Sequence, residues 1–397
     1  MNRNLQRLIT IAQKPVRRIV GLMSGTSLDG LDVALCAISG NGMDTRVTLE
    51  HFDTVPYPVA VKDEIRKVFA KDTISFQQLC LLNPWLANLH AQWILDCLQK
   101  WDISAEDVDI IASHGQTVYH SPKILHRLPD FPNATLQIID GDHIAVKTSI
   151  ITLSDFRQKH IAAGGEGAPL ALYGDYCLFS KRGEDRIMLN MGGIANFTFL
   201  PGHLNASGVF VTDTGPGNTL LDAFAREFFQ AEYDKDALFA KQGTMNESLL
   251  AALKNDPFFN APFPRTTGPE LFSKAYVKAA QEHSNTTDLS PYDIMATLTR
   301  FSADTITDAL KSVLQEDKDY AVYVSGGGAH NPLLTGLIRE RLPRLELHTT
   351  DELGIAGDAK EAVLFAILAN EALCGEGIDF GKPGMPAITM GKLSFPA

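Results

Sequence analysis

No apolar run in this chain approaches the roughly 18 residues that a membrane helix needs. Nothing in it has the apolar core and small-residue cleavage site of a signal peptide. Cysteine is scarce, with five in 397 residues: Cys36, Cys80, Cys97, Cys177 and Cys374 lie far apart and form no C-x-x-C pair. That usage excludes a disulfide framework or a cysteine zinc cluster and suits a reducing cytoplasm. Positive charge is short too. Lys and Arg number 35 against 47 Asp and Glu, a formal net charge of −12, which argues against nucleic acid as the main partner because such binding rests on clustered cations. Three nucleotide signatures are also missing. Gly381-Lys382 is followed by Pro383, so there is no G-x-x-x-x-G-K-[ST] loop, and neither a helix-opening G-x-G-x-x-G nor the pair H-R-D and D-F-G occurs.

What is present is an ordinary soluble composition, 45% hydrophobic and 21% charged, long enough for two domains. Residues 1–17 read as a short basic N-terminal extension, with an amphipathic targeting peptide as the competing reading. "RRIVGLM", "SGTSLDG" and "LDVALCAI" form apolar run, turn cluster and apolar run, the pattern of a β-hairpin with a wide turn. Helical spacing follows in "VKDEIRKVFA" and in "SFQQLCLLNPWLANLHAQWILDCLQKW", the latter expected to kink or restart at Pro84. "VDIIASHGQTVYH" reads as a strand running into a glycine loop. Near residue 185 the arrangement begins again with "DRIMLNMGGIANFTFL". The parse is therefore α/β, with domain I at 18–155 and domain II at 156–397, the C-terminal segment packing back on domain I. Two such domains flanking a cleft are the natural architecture.

Four glycine clusters, "SGTSLDG", "NMGGIAN", "DTGPGN" and "SGGGAHN", each follow a β-like run. Glycine there lets backbone amides approach a ligand closely, and successive amides in such turns make anion-binding nests. A plain turn is the alternative for any one of them, but four after four strands point to phosphate. Two carboxylates stand out. Asp213 of "DTGPGN" follows the apolar "GVFV" and is expected at the lip of a glycine turn, where a general base would face a cleft, although Asp before Thr-Gly is also a common Asx-turn or helix N-cap. Glu361, three residues after Asp358 and ahead of an apolar helical pattern, fits either a capping box or an active-site carboxylate.

A hairpin turn as phosphate holder, in place of a strand-to-helix turn, resembles the superfamily of acetate and sugar kinases, Hsp70 and actin, in which two ribonuclease-H-like domains close on ATP. Within it, "GLMSGTSLDGLDVAL", "SHGQTVYH", "DFR", "GGEGAPL", "LNMGGIANFT", "DTGPGN", "YDKDA", "TTGPELF", "VSGGGAHNPLL" and "GIAGDAKEAVLFAIL" occur in the order and spacing of the anhydro-N-acetylmuramic acid kinases. The resemblance implies an enzyme that opens the internal 1,6-ether of 1,6-anhydro-N-acetylmuramic acid with water. It also implies transfer of the γ-phosphate of ATP to O6, giving N-acetylmuramic acid 6-phosphate and ADP in peptidoglycan recycling. Asp213 matches the family's catalytic base, and Glu361 matches a glutamate near the reacting end of the sugar.

The expected nucleotide site comprises Gly25, Thr26, Ser27, Leu28, Asp29, Gly30, Leu31 and Asp32 in the first turn, with Gly192, Gly193 and Asn196 in the second and Gly327 and Gly328 toward the adenosine. No Lys lies in the first turn, so charge neutralisation is expected from Mg²⁺ held by phosphates and one or two carboxylates. Asp29 is the first choice and Asp32 the second, directly or through water. His114, Arg157, Gly215 and Asn218 are the candidate sugar contacts, with Arg157 suited to the lactyl carboxylate. His114, His120 and His126 recur every six residues, which is no metal-ligand spacing. Four positions depart from the family's pattern and bear on sugar specificity: Ile139 for glycine, His160 for aspartate, Glu166 for glutamine and Pro269 for arginine. A homodimer is compatible with this picture.

Three other readings remain. A plain sugar kinase acting on a free hydroxyl is the enzymatic alternative. A non-metabolic actin-like or Hsp70-like ATPase would need a peptide-binding module or filament contacts, and a sugar-responsive repressor would need an N-terminal helix-turn-helix ahead of the first strand.

Overall fold

The computed structural model describes residues 2–268 and 270–397, so Pro269 lies outside the described residues. The chain divides into two compact units, unit 1 comprising residues 1–179 and 354–397 and unit 2 residues 180–353.

In unit 1 the predicted hairpin forms from β1 (Val16–Ser24) and β2 (Gly30–Ser39), antiparallel with Met23 opposite Asp32, and β3 (Arg46–Pro56) extends it. The apolar runs bury because every second side chain, and at the sheet centre both faces, meets protein. β4 (Ile110–Ser121) then joins β1 in parallel, β5 (Ala134–Ile138) pairs β4, β6 (Ile151–Ser154) runs parallel to β4, and β12 (Lys392–Ser394) closes the edge on β6. The backbone order is β3-β2-β1-β4-β6. "SHGQTVYH" is thus not a strand entering a loop; β4 runs straight through Gly115.

Unit 2 repeats this. β7 (Asp185–Met191), β8 (Ile194–Leu200) and β9 (Phe210–Pro216) form an antiparallel meander, and β10 (Tyr320–Ser325) and β11 (Leu347–Thr349) add in parallel on the other side of β7. The order β9-β8-β7-β10-β11 is that of unit 1 with new strands. Each unit therefore has the ribonuclease-H-like strand order expected from the sequence.

The boundary expected after residue 155 falls inside unit 1. Helices Phe156–Ala162 and Ala171–Phe179 pack with the C-terminal helix Lys360–Cys374, through Phe156 and Phe365 rings 5.4 Å apart and a buried Lys360–Asp175 ion pair of 2.8 Å. These contacts join segments about 200 residues apart, which local pattern does not reveal. Residues 3–12 of the N-terminal extension are helical, and Arg7 donates to the Ser149 carbonyl at 3.1 Å. The helix Phe76–Lys100 continues through Pro84 as one element, which removes the restart of the two expected alternatives, kink or restart.

Helix Lys360–Cys374 lies so close to β1 that a Cβ on Gly21 would stand 1.9 Å from the Ala362 carbonyl oxygen. Gly21→Ala must push backbone apart, and overpacking of this kind costs about 1–3 kcal/mol. We expect a lowered thermal midpoint for the variant, read by circular dichroism; an unchanged midpoint would contradict the helix–strand contact.

Candidate active site

The residues singled out by sequence gather into two constellations, one in each unit. In unit 1 the turn after β1 is closed by Leu28 donating its N–H to the Gly25 carbonyl at 3.3 Å. Leu28 and Leu31 bury their side chains in the core, so these two offer a ligand no side-chain donor. Thr26, Ser27 and Asp29 are exposed, and a Cβ on Gly25 would meet nothing closer than 3.4 Å, leaving that backbone open to approach. Gly30 serves packing, since a Cβ there would stand 2.4 Å from the Val55 carbonyl oxygen.

The turn is anchored by residues the motif does not contain. Gln116 Nε2 donates to the Gly25 carbonyl at 3.1 Å, the Ser24 hydroxyl to the Gly115 carbonyl at 3.1 Å, and the Tyr57 N–H to the Asp29 carbonyl at 3.0 Å. Tyr57 is itself buried with its hydroxyl 2.7 Å from His90 Nε2. Asp32 accepts from the Thr54 hydroxyl at 2.6 Å, and burial raises its carboxyl, with Asp358 and Asp29 pushing the same way. Among the described residues no three His, Cys, Asp or Glu side chains are placed to hold a metal ion by themselves. The exposed Asp29 has the hard oxygen donors that Mg²⁺ takes beside phosphates, so the donor set fits a metal shared with a nucleotide.

His114 and Arg157 meet directly. Arg157 donates Nε to His114 Nε2 at 2.9 Å and Nη1 to the Gly167 carbonyl at 2.7 Å, while Nη2 has no hydrogen-bond partner among the described residues. His114 is 2% exposed. Burial and the Arg157 charge hold its imidazole well below the usual range, so it is neutral and accepting. It orients Arg157 and is not itself open to a sugar.

Glu361 sits in the first turn of helix Lys360–Cys374, whose N-cap, Ala359, has no side-chain cap bond. The capping-box alternative for Asp358 and Glu361 therefore fails. The Glu361 side chain keeps solvent access, yet surrounding protein raises its carboxyl; Lys360 and Arg157 oppose that shift, and Asp32 and Asp175 add to it.

Two of the four departures from the family's pattern, Ile139 and His160, have structural accounts. Ile139 takes φ +95°, a left-handed conformation that suits glycine, and is kept there by a buried side chain and an N–H bond to Asn83 Oδ1 at 2.7 Å. His160 is buried and accepts the Gly167 N–H at Nδ1 at 3.0 Å, fastening the 164–170 loop. Glu166 is exposed.

In unit 2 three glycine clusters converge. The Gly192–Gly193 turn accepts the N–H groups of Gly217 and Asn218 at 2.8 Å each, and Asn218 Nδ2 donates to the Met191 carbonyl at 3.1 Å. Asn218 thus braces the second turn. Gly217 allows this approach, since a Cβ there would stand 2.2 Å from the Gly192 carbonyl oxygen. Gly328 packs against Met191, while Gly192 and Gly327 keep open space. Gly215 is buried at φ +147° against Phe259 and Thr305, which gives it a packing role.

Asp213 lies within β9, not at the lip of a turn. Strand register places Ser325, Asn190, Asn196 and Asp213 opposite one another across four strands, a polar row on one face. Asn190 and Ser325 were not legible as site residues because register exists only once strands pair. One Asp213 oxygen, Oδ2, accepts the Thr267 N–H at 2.8 Å. Burial pushes the carboxyl up to about 6, against the Thr267 bond and the Arg265 charge and with Glu270.

The sequence model of the anhydro-N-acetylmuramic acid kinases matches residues 17–377. A kinase of that name from Pseudoalteromonas atlantica is 54% identical over 400 residues, covering all of both chains. One from Caldanaerobacter subterraneus is 38% identical over 98% of this chain and all of its own. Among solved structures, the activator of the 2-hydroxyisocaproyl-CoA dehydratase from Clostridium difficile with bound ADPNP aligns over 90% of this chain and 95% of its own, at 13% identity and a TM-score of 0.39. With its motifs in order and its relatives matched from end to end, the chain belongs to the anhydro-N-acetylmuramic acid kinase family.

Proposed function

We propose that this ATP-dependent kinase uses Asp213 to activate the water that opens 1,6-anhydro-N-acetylmuramic acid while O6 takes the γ-phosphoryl group. The carrying observation is the Asp213 carboxyl: fixed at Oδ2 by Thr267, without a partner at Oδ1 among the described residues, and poised near 6. A base is most useful when its pKa lies near the working pH.

Water attacks C1 from the face opposite O6 and gives its proton to Asp213, which passes it to solvent. The C1–O6 bond breaks with inversion at C1. O6 forms its new bond to the γ-phosphorus and ADP leaves, so the phosphoryl group takes the place of the acid that a glycosidase would need. In this reading Gly25 to Ser27 are the phosphate contacts of unit 1, and in unit 2 Gly192 and Gly193 serve the phosphates and Gly327 the adenosine. Bound Mg²⁺, with Asp29 as its protein ligand, would neutralise phosphate charge. Arg157 receives the lactyl carboxylate, and Glu361 supports the sugar's reacting end. The reaction belongs to cell-wall recycling in the cytoplasm.

The test is ADP release with the anhydro-sugar, N-acetylmuramic acid and glucose. Release with the anhydro-sugar alone supports the proposal; equal release with a free 6-hydroxyl makes the protein a plain sugar kinase. The same assay should show kcat/KM for the anhydro-sugar falling tenfold per unit as pH drops below about 6, since protonated Asp213 cannot accept a proton.

A further inference from the structure

Asp213 does not hold its own geometry. Segment 265–267, more than 50 residues further along the chain, lies against the open edge of β9. The Arg265 carbonyl accepts the Asp213 N–H at 2.9 Å, the Arg265 N–H donates to the Thr212 hydroxyl at 3.0 Å, and the Thr267 N–H reaches Asp213 Oδ2 at 2.8 Å. Arg265 ties this edge down. Its Nε and Nη2 donate to the carbonyls of Asp213 and Thr214, at 3.3 and 3.4 Å, and Nη1 donates to those of Phe258 and Phe259, at 3.0 and 2.7 Å. The guanidinium lies over the rings of Phe258 and Phe263, 4.6 and 4.8 Å from their centroids. A planar fork stacked on aromatic rings is a use of Arg that Lys cannot copy.

We propose that Arg265 is a positioning residue for the base: it locks segment 265–267 against β9 so that Thr267 fixes one oxygen of Asp213 and leaves the other to the water. The inference rests on Asp213 being that base. Arg265 has a second effect through space. Its charge favours the ionised carboxylate, whereas Glu270 opposes ionisation.

Arg265→Met keeps length and apolar contact with the rings but loses charge and donors. A kcat lower by roughly tenfold to a hundredfold is expected from a displaced base, with unchanged KM for both substrates. The acid limb of the pH–rate profile should move to higher pH, because removing a cation raises a carboxyl. Arg265→Lys should lower kcat and move the limb less than Arg265→Met does, since the charge stays while the Thr267 bond loosens. Should Arg265→Met fail to fold, the Lys variant decides by its kcat. A limb that stays put in the Met variant, a limb moved as far in the Lys variant as in the Met variant, or a kcat unchanged in whichever variant folds overturns the inference. Asp213→Asn separates the two levels: if it remains active, the base assignment fails. If it is inactive while the Arg265 variants give a contrary result, only the positioning role fails.

Discussion

Asp213→Asn is expected to lower kcat by roughly 10²- to 10⁴-fold, the usual worth of a general base, while ATP binding stays nearly intact. Asn matches the carboxylate in shape and can still accept the Thr267 N–H through its amide oxygen. It cannot take a proton from water. The phosphate turns, Gly25 to Asp32 and Gly192–Gly193, bond within their own surroundings, and among the described residues none of their hydrogen bonds involves the Asp213 side chain. Nucleotide affinity, measured by calorimetry, should therefore survive. Retention of more than about a tenth of the activity would remove Asp213 from the role.

Arg157→Gln should act on the other substrate. A half-buried arginine that pairs with a ligand carboxylate in a desolvated contact loses about 2–5 kcal/mol of binding when truncated, so KM for the anhydro-sugar should rise by roughly thirtyfold or more. Affinity for ATP should stay near its original value. The preparation for that role is visible: His114 takes Nε and the Gly167 carbonyl takes Nη1, which aims the fork and leaves Nη2 for a second partner. Burial weakens the cation while Glu361 sustains it. An unaltered KM would show that Arg157 only holds the 164–170 loop.

Much of this was legible in the sequence because the deciding signals are local. Apolar runs on both sides of "SGTSLDG" and "NMGGIAN" announced the two hairpins, and the strands that follow each one repeat the pattern. What stayed hidden depends on residues far apart. The inward turn of His114 follows from the place of Arg157, 43 residues on. The row from Ser325 to Asp213 follows from register across four strands. The return of residues 354–397 to unit 1 was expected, but the inclusion of 156–179 was not, because the Lys360–Asp175 pair has no sequence signature. Ile139 shows a different limit: its left-handed backbone contradicts its residue type, and only the Asn83 bond and the surrounding core explain it.

The central claim is that ring opening by water and phosphorylation of O6 are one coupled event. Proton NMR of the product, followed in real time with ATP and 1,6-anhydro-N-acetylmuramic acid, tests it most directly. The account predicts a 6-phosphorylated sugar that has gained one water, with C1 inverted at first and scrambling only later by mutarotation. A first-formed product with retained C1 configuration, or inorganic phosphate released with the anhydro ring intact, would contradict it.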